Sequence, residues 1–169
     1  THYKYMSVLD GLANSINTIT FASAAQLDLC GIQKIVDAVG IHGGNPSPNG
    51  DDPHPQVPMT RLSNLIGATQ TAPLTMASAF ATFANDGQYC EPMAIESVTD
   101  ATGAQLPAQS PNCRDAIKPE VAHGVAYAMQ EVLNRGSGSL IQPRISTRTT
   151  FPIAAKTGTN DNNNSTWVA

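Results

Sequence analysis

The sequence has few charges. Lys, Arg, Asp and Glu together make up 13% of its 169 residues, about half the usual share. Ser, Thr, Asn and Gln carry the polar surface instead. The net charge is −4, with no basic stripe and no interleaving of basic and aromatic residues, so nothing resembles a nucleic-acid footprint. No apolar run approaches the roughly 18 residues that span a bilayer. The opening "THYKYM" lacks the apolar core of a signal peptide. Any signal for export or anchoring would lie outside these residues. The apolar fraction, 41%, is ordinary for a globular protein, and the length suffices for one domain with its own core.

Cysteine is scarce too. Cys90 and Cys113 flank a segment with turn residues at its centre, "CEPMAIESVTDATGAQLPAQSPNC". They are predicted to pair, which suits an oxidising compartment; closing such a loop contributes on the order of 3 kcal/mol in the chain-entropy view. The alternative is three reduced thiols. Cys30 lies in an apolar helical stretch and reads as a small core residue.

Periodicity predicts a short helix over 5–14 and a helical region over 22–39, with Leu29, Ile32, Val36 and Val39 on one face. Gly31 is a candidate break, and Gly40 a C-terminal stop with Ile41 folding back. Residues 42–60, with five prolines and three glycines, exclude a regular element and read as a surface excursion. His42, His54, Asp51 and Asp52 fall there; a solvated loop is the preferred reading over a metal site. Residues 73–85 read as a helix entered by Pro73. Met76, Phe80 and Phe83 form its apolar stripe, and Ala77, Ala81 and Ala84 its close-packing face. Residues 93–107 read as a hairpin. Pro119 opens a helix with Val121, Val125, Met129 and Val132 inward, ended by "NRGSGS". Residues 152–157 and "STWVA" read as two strands joined by "NDNNN" into an antiparallel hairpin.

Two short motifs carry chemistry. In the first, Lys156-Thr157-Gly158-Thr159 lies on the first strand of that hairpin. Lysine supplies positive potential, and threonine hydroxyls can donate to a carboxylate. Glycine removes a side chain from the path of an approaching ligand backbone. An edge N–H can serve an oxyanion, and a peptide could add antiparallel to this strand. In the second, "ANSINT", Ser15 and Asn17 stand two apart, a spacing that lets both enter one cavity from a short loop. Serine can relay a proton; asparagine offers a donor and an acceptor to an amide. The plain alternative for "ANSINT" is a helix C-cap, and for the tetrapeptide a strand end.

Taken together, Ser15-Ile16-Asn17 followed by Lys156-Thr157-Gly158 resembles two of the three motifs of penicillin-binding proteins and related β-lactamases. "GATQTAPLTMASAFATFANDGQYCEPMAIESV" is similar to the helix and following strand that precede Lys-Thr-Gly in transpeptidase domains of bifunctional, high-molecular-weight penicillin-binding proteins. "LDGLANSINT" and "AAKTGTNDNNNSTWVA" also match that group, in the right order. The resemblance implies an α+β fold, a five-stranded antiparallel sheet packed with helices beside an all-helical subdomain, with the active site between. It implies acyl-serine chemistry on D-Ala-D-Ala. Ser15 would pass a proton to the leaving nitrogen, Asn17 would hold the substrate amide, and Lys156 would set the potential. Thr157 and Thr159 would bind the ligand carboxylate beside Gly158, and the Thr159 N–H would form half of an oxyanion hole.

One part is missing. No serine in the sequence is followed three residues later by lysine, so the motif bearing the nucleophile and its base is absent. The resemblance places it before Thr1, and places the last strand after Ala169. Residues 1–169 are therefore expected to be a partial transpeptidase domain, inactive alone. The partners it implies are peptidoglycan stem peptides, β-lactams, the N-terminal part of the same domain and an upstream glycosyltransferase domain. No cofactor and no metal are implied. The expected location is the extracytoplasmic face of the bacterial membrane, with the anchor outside this chain. The competing readings are a β-lactamase or β-lactam sensor, and a non-catalytic peptidoglycan-binding domain.

Overall fold

Ser7 starts the first helix. Its hydroxyl accepts the Asp10 N–H at 3.0 Å and donates to the Asp10 carboxylate at 2.6 Å, a cap of the Ser-x-x-acid kind. In the computed structural model, which describes residues 5–141, 151–159 and 166–169, this gives α1, Val8–Ala13. Helix α2 follows at Asn17–Ala24 and α3 at Leu29–Ala38. The helical region predicted over 22–39 therefore does divide, but not at Gly31. The break falls before Asp28, whose carboxylate accepts the N–H groups of Cys30 and Gly31 at 3.0 and 3.1 Å. That satisfies donors of a new first turn, so the helix restarts there. Cys30 consequently sits in the first turn of α3 and is exposed; it is not the core residue expected.

Helix α3 ends as its sequence suggests. Gly40 has φ +75; its N–H donates to the Asp37 carbonyl, and the Ile41 N–H to Val36. This is a Schellman closure, and it folds Ile41 back onto the core. That core is a buried cluster of Val39, Ala79 and Ile117, with Ile41, Phe83 and Ala116 packed against it. The 42–60 excursion is less solvated than predicted, because Val57 and Met59 are buried. Buried Asn64 anchors it: its amide donates to the Pro58 carbonyl at 2.9 Å and accepts the Thr69 hydroxyl at 2.6 Å.

Helix α4 spans Pro73–Ala84 with Pro at its first turn, and α5 spans Pro119–Arg135. Each agrees with the sequence reading in part: Phe83 packs on the core, and Met129 and Val132 are buried, as expected. In α4 the buried face is Thr75, Ala79 and Thr82, while Ala77, Ala81 and Ala84 are exposed. Thr75 and Thr82 are tolerated inside because their hydroxyls donate to the Ala72 and Ser78 carbonyls. In α5 the inner face is Ala122, Met129, Val132 and Leu133, and Val121 is exposed. The smaller Ala122 lets the first turn approach its neighbours.

The architecture is α+β, helices with antiparallel strand pairs. Among the described residues the strands form three pairs. β1 (Gln88–Tyr89) pairs with β4 (Arg114–Asp115), and β2 (Val98–Thr99) with β3 (Gln105–Leu106). β5 (Thr157–Thr159) pairs with β6 (Thr166–Val168). The hairpin predicted over 93–107 is shorter than expected: Met93–Glu96 are not strand, and pairing begins at Val98. Asp100 closes its turn by accepting from the Thr102 and Ala104 N–H groups. The disulfide Cys90–Cys113 joins the chain just beyond the β1–β4 ladder, closing the excursion that contains this hairpin. The predicted "NDNNN" turn lies outside the described residues.

Candidate active site

Helix α1 ends in a second Schellman closure. The Ser15 N–H donates to the Leu12 carbonyl at 3.2 Å, and the Ile16 N–H to Gly11 at 2.9 Å. Ser15 holds φ +55, the left-handed conformation that this position usually gives to glycine. For a residue with a Cβ this costs of order 1–3 kcal/mol. The left-handed residue that follows the C-cap Asn14 is thus also the serine of the motif: it takes a glycine's place and keeps a hydroxyl there. Asn17 begins α2 two residues on and is exposed. Among the described residues no hydrogen bond ties Asn17 to Lys156, so Ser15 alone makes the contact between the two motifs.

The second motif arrives from the far end of the chain. Lys156 extends the β5–β6 ladder by one residue: its N–H donates to the Ala169 carbonyl at 2.7 Å, and the Ala169 N–H returns to Lys156 at 3.2 Å. The strand thus starts at Lys156–Thr157, later than the predicted 152. The preceding residue, Ala155, is buried, and its N–H donates to the Met129 carbonyl of α5 at 3.4 Å. That contact sets the strand against the helix. The Lys156 Nζ donates to Ser15 Oγ and, at 2.7 Å, to the Thr157 carbonyl. Ser15 and Lys156 are 141 positions apart. The lysine is half-buried, and burial holds its pKa below the ordinary value of 10.5, because removal from water disfavours the charged form. Strict alternation would put Lys156 and Thr157 on opposite faces. The Lys156 Nζ nevertheless reaches Ser15 Oγ and the Thr157 carbonyl, and Ser137 Oγ lies between the Ser15 and Thr157 hydroxyls, so both side chains meet one row of polar groups.

Ser137 joins them. It follows α5 in the run that the sequence reading assigned only to ending that helix. Its Oγ lies 2.5 Å from Thr157 Oγ1 and 3.4 Å from Ser15 Oγ. The sequence signal was there in weak form: a hydroxyl residue between two glycines, at a helix end. Gly136 explains the approach. A Cβ on it would lie 2.0 Å from the Ala13 carbonyl oxygen, so only glycine lets α5 close on α1 here. The Ser137 N–H then donates to that same carbonyl at 2.9 Å. Alongside, the Arg135 guanidinium pairs with Asp10 and, at 2.5 Å, with Glu131. The result is a row of four side chains, Lys156, Ser15, Ser137 and Thr157, at the junction of α1, α5 and β5.

Gly158 faces Trp167 and Thr159 faces Thr166 across the ladder; Thr159 is exposed. Among the described residues β5 pairs with β6 alone, and no other described strand covers its second edge. An apolar cavity of about 430 Å³ lies elsewhere, lined by residues including Leu12, Ile19, Leu27, Val36 and Met76. No titratable side chain lines it, and it contains none of Ser15, Ser137, Lys156 and Thr157. The His42 and His54 rings lie with centroids 4.4 Å apart and planes tilted by 51°, and no group of three metal-ligating side chains occurs among the described residues.

The family model for the penicillin-binding protein transpeptidase domain matches residues 1–166. The chain belongs to this family. Among its relatives, penicillin-binding protein 1B of Escherichia coli K12 is 29% identical over 162 residues, covering 96% of this chain and 17% of the relative. Penicillin-binding protein 1A of Aquifex aeolicus is 27% identical over 169 residues, covering 98% of this chain and 20% of the relative. The chain therefore spans about a fifth or less of the curated relatives it matches. Two solved structures share its fold. The D,D-transpeptidase domain of a peptidoglycan glycosyltransferase from Eggerthella lenta superposes with a TM-score of 0.72 at 19% identity, over 99% of this chain and 45% of that one. Penicillin-binding protein A of Mycobacterium tuberculosis, as a ceftriaxone acyl-enzyme complex, gives 0.70 at 21%, over 94% of this chain and 36% of that one. In this chain Lys156 and Ser15 are in contact, and no serine among its 169 residues is followed three residues later by lysine. No helix among the described residues is long and apolar enough to cross a membrane.

Proposed function

We propose that this chain is part of a serine D,D-transpeptidase that cross-links peptidoglycan stem peptides and is acylated by β-lactams. The observation that carries the reading is the hydrogen bond from Lys156 to Ser15, which joins the two motifs in one cleft. The nucleophilic serine and its lysine come from a segment preceding Thr1. That serine's oxygen attacks the penultimate D-Ala carbonyl, the peptide C–N bond breaks, and D-Ala leaves with a proton. An amine from a neighbouring peptide then displaces the serine, forming the cross-link and returning a proton to the enzyme.

The residues of this chain act on the proton and the charge. Ser15 delivers the proton to the leaving nitrogen. Lys156 beside it, acting in its ammonium form, lowers the energy of negative charge in the cleft. Asn17 holds the substrate amide from the start of α2. The hydroxyls of Thr157 and Thr159 bind the terminal carboxylate, and Gly158 keeps the strand edge clear. A substrate strand adds antiparallel to the second edge of β5. The Thr159 N–H supplies half the oxyanion hole, where losing one donor costs about 2.7–4 kcal/mol of transition-state stabilisation. In the whole protein a glycosyltransferase domain lies upstream, an anchor outside this chain holds it to the membrane, and the domain works on the extracytoplasmic face. Disulfide Cys90–Cys113 suits that compartment.

The test uses the full-length protein with a stem pentapeptide ending in D-Ala-D-Ala and an amine acceptor. Release of D-Ala together with a cross-linked product is expected. Rapid turnover of nitrocefin without a cross-linked product indicates a β-lactamase instead; no reaction with either substrate indicates a binding domain.

A further inference from the structure

We propose that Ser137 is a positioning residue of this site: it fixes the Thr157 hydroxyl as a donor aimed at the carboxylate of the bound ligand. The inference rests on the transpeptidase reading above and adds a residue to it. It starts from the direction of the hydrogen bonds. A lysine ammonium can only donate, and Lys156 donates to Ser15 Oγ. The Ser15 oxygen accepts there, and in the free enzyme we direct its own proton at Ser137 Oγ, 3.4 Å away, where either oxygen can donate; a substrate's leaving nitrogen takes that proton during reaction. The Ser137 proton is then directed at Thr157 Oγ1 at 2.5 Å. Thr157 has accepted, so its remaining proton points out of the row, toward a group that can only accept. An anionic oxygen of the ligand is such a group. Read this way, the charge of Lys156 sets the polarity of the row, and Ser137 passes it on to Thr157.

Two observations separate this role from that of an ordinary serine at a helix end. Its partners come from positions 122 and 20 residues away, whereas a capping serine bonds its own turn. Its backbone is fixed independently of its hydroxyl: the Ser137 N–H is held by Ala13, the Gly138 N–H by Val132 and the Ser139 N–H by Gly136. The side chain is exposed toward the cleft. Removing the hydroxyl therefore leaves the turn in place and takes away only the donor that orients Thr157.

The experiment measures acylation of the full-length protein by a penicillin with a free carboxylate. It compares Ser137→Ala, Ser137→Thr, Thr157→Val and the double variant Ser137→Ala/Thr157→Val, with melting temperatures alongside. Ser137→Ala is expected to slow acylation by about ten-fold, the scale of one hydrogen bond, at an unchanged melting temperature. Ser137→Thr, which keeps the hydroxyl, is expected to stay near the unmutated rate. The double variant is expected to be no slower than Thr157→Val, because Ser137 acts through Thr157. Acylation at full rate in Ser137→Ala, or a double variant slowed by the product of the two single effects, overturns the inference and leaves the transpeptidase reading standing. A fall in melting temperature that Ser137→Thr does not restore makes the role structural and also overturns it. If the unmutated protein takes up no penicillin, the transpeptidase reading itself falls, and the inference with it.

Discussion

Ser15 carries both a structural burden and a chemical one. Its left-handed backbone would suit glycine better, and only the hydroxyl accounts for serine. Ser15→Gly is therefore expected to raise stability by about 1 kcal/mol, the lower end of the strain involved. It is also expected to slow acylation of the full-length protein by about 100-fold or more, the scale of a lost proton-transfer group. Urea unfolding and penicillin uptake on the same preparation check both halves. Lys156 adds a pH dependence. Its pKa in the folded protein is held below 10.5 by burial. Between that lowered value and the ordinary one, the unfolded chain binds more protons than the folded one. This lysine's contribution to stability therefore rises with pH across that window. Activity moves the other way: the alkaline limb of the acylation rate is expected to have its midpoint below 10.5. In Lys156→Met that limb is expected to disappear along with most of the rate.

At the scale of elements, the site exists because α5 closes on α1 at Gly136. The Asp10–Arg135 pair beside it is exposed, so salt screens it, and the glycine contact carries the joint. Gly136→Ala would set a methyl 2.0 Å from the Ala13 carbonyl oxygen. It is expected to cost about 1–3 kcal/mol and to weaken acylation by moving Ser137 and Ser15 apart, as denaturant melts and labelling rates would register. The elements differ in how much of them the sequence revealed. Helix α4 announced itself through Pro73, α5 through Pro119, and the end of α3 through Gly40, because each uses local chemistry. On α5 Met129 and Val132 lie inward as expected, and only the first turn was misjudged, where Ala122 rather than Val121 is buried. Cys30 was misjudged because the cap that turns it outward, Asp28, lies two residues upstream. Ser137 stayed hidden because its function comes from partners that only the closed structure brings near.

For the molecule as a whole, the motifs were legible through their likeness to a family, but their meeting across 141 positions was not. No periodicity reports a contact between the first helix and the last hairpin. The disulfide is a separate matter of stability. It closes a loop of 23 positions that contributes none of the four side chains of the site row. Cys90→Ala/Cys113→Ala is expected to lose on the order of 3 kcal/mol while acylation of the folded protein stays unchanged. Thermal melts and penicillin uptake compared side by side would separate the two effects.

The most direct test of the central claim, that the Ser15 turn and the Lys156 strand build one reacting cleft, is the rate at which the full-length protein is labelled by a fluorescent penicillin. Ser15→Ala and Lys156→Ala are each expected to slow labelling by about 100-fold or more, and the double variant to be little worse than either, since the two groups act as a unit. Folded variants that label at the unmutated rate, or whose effects multiply, would contradict it.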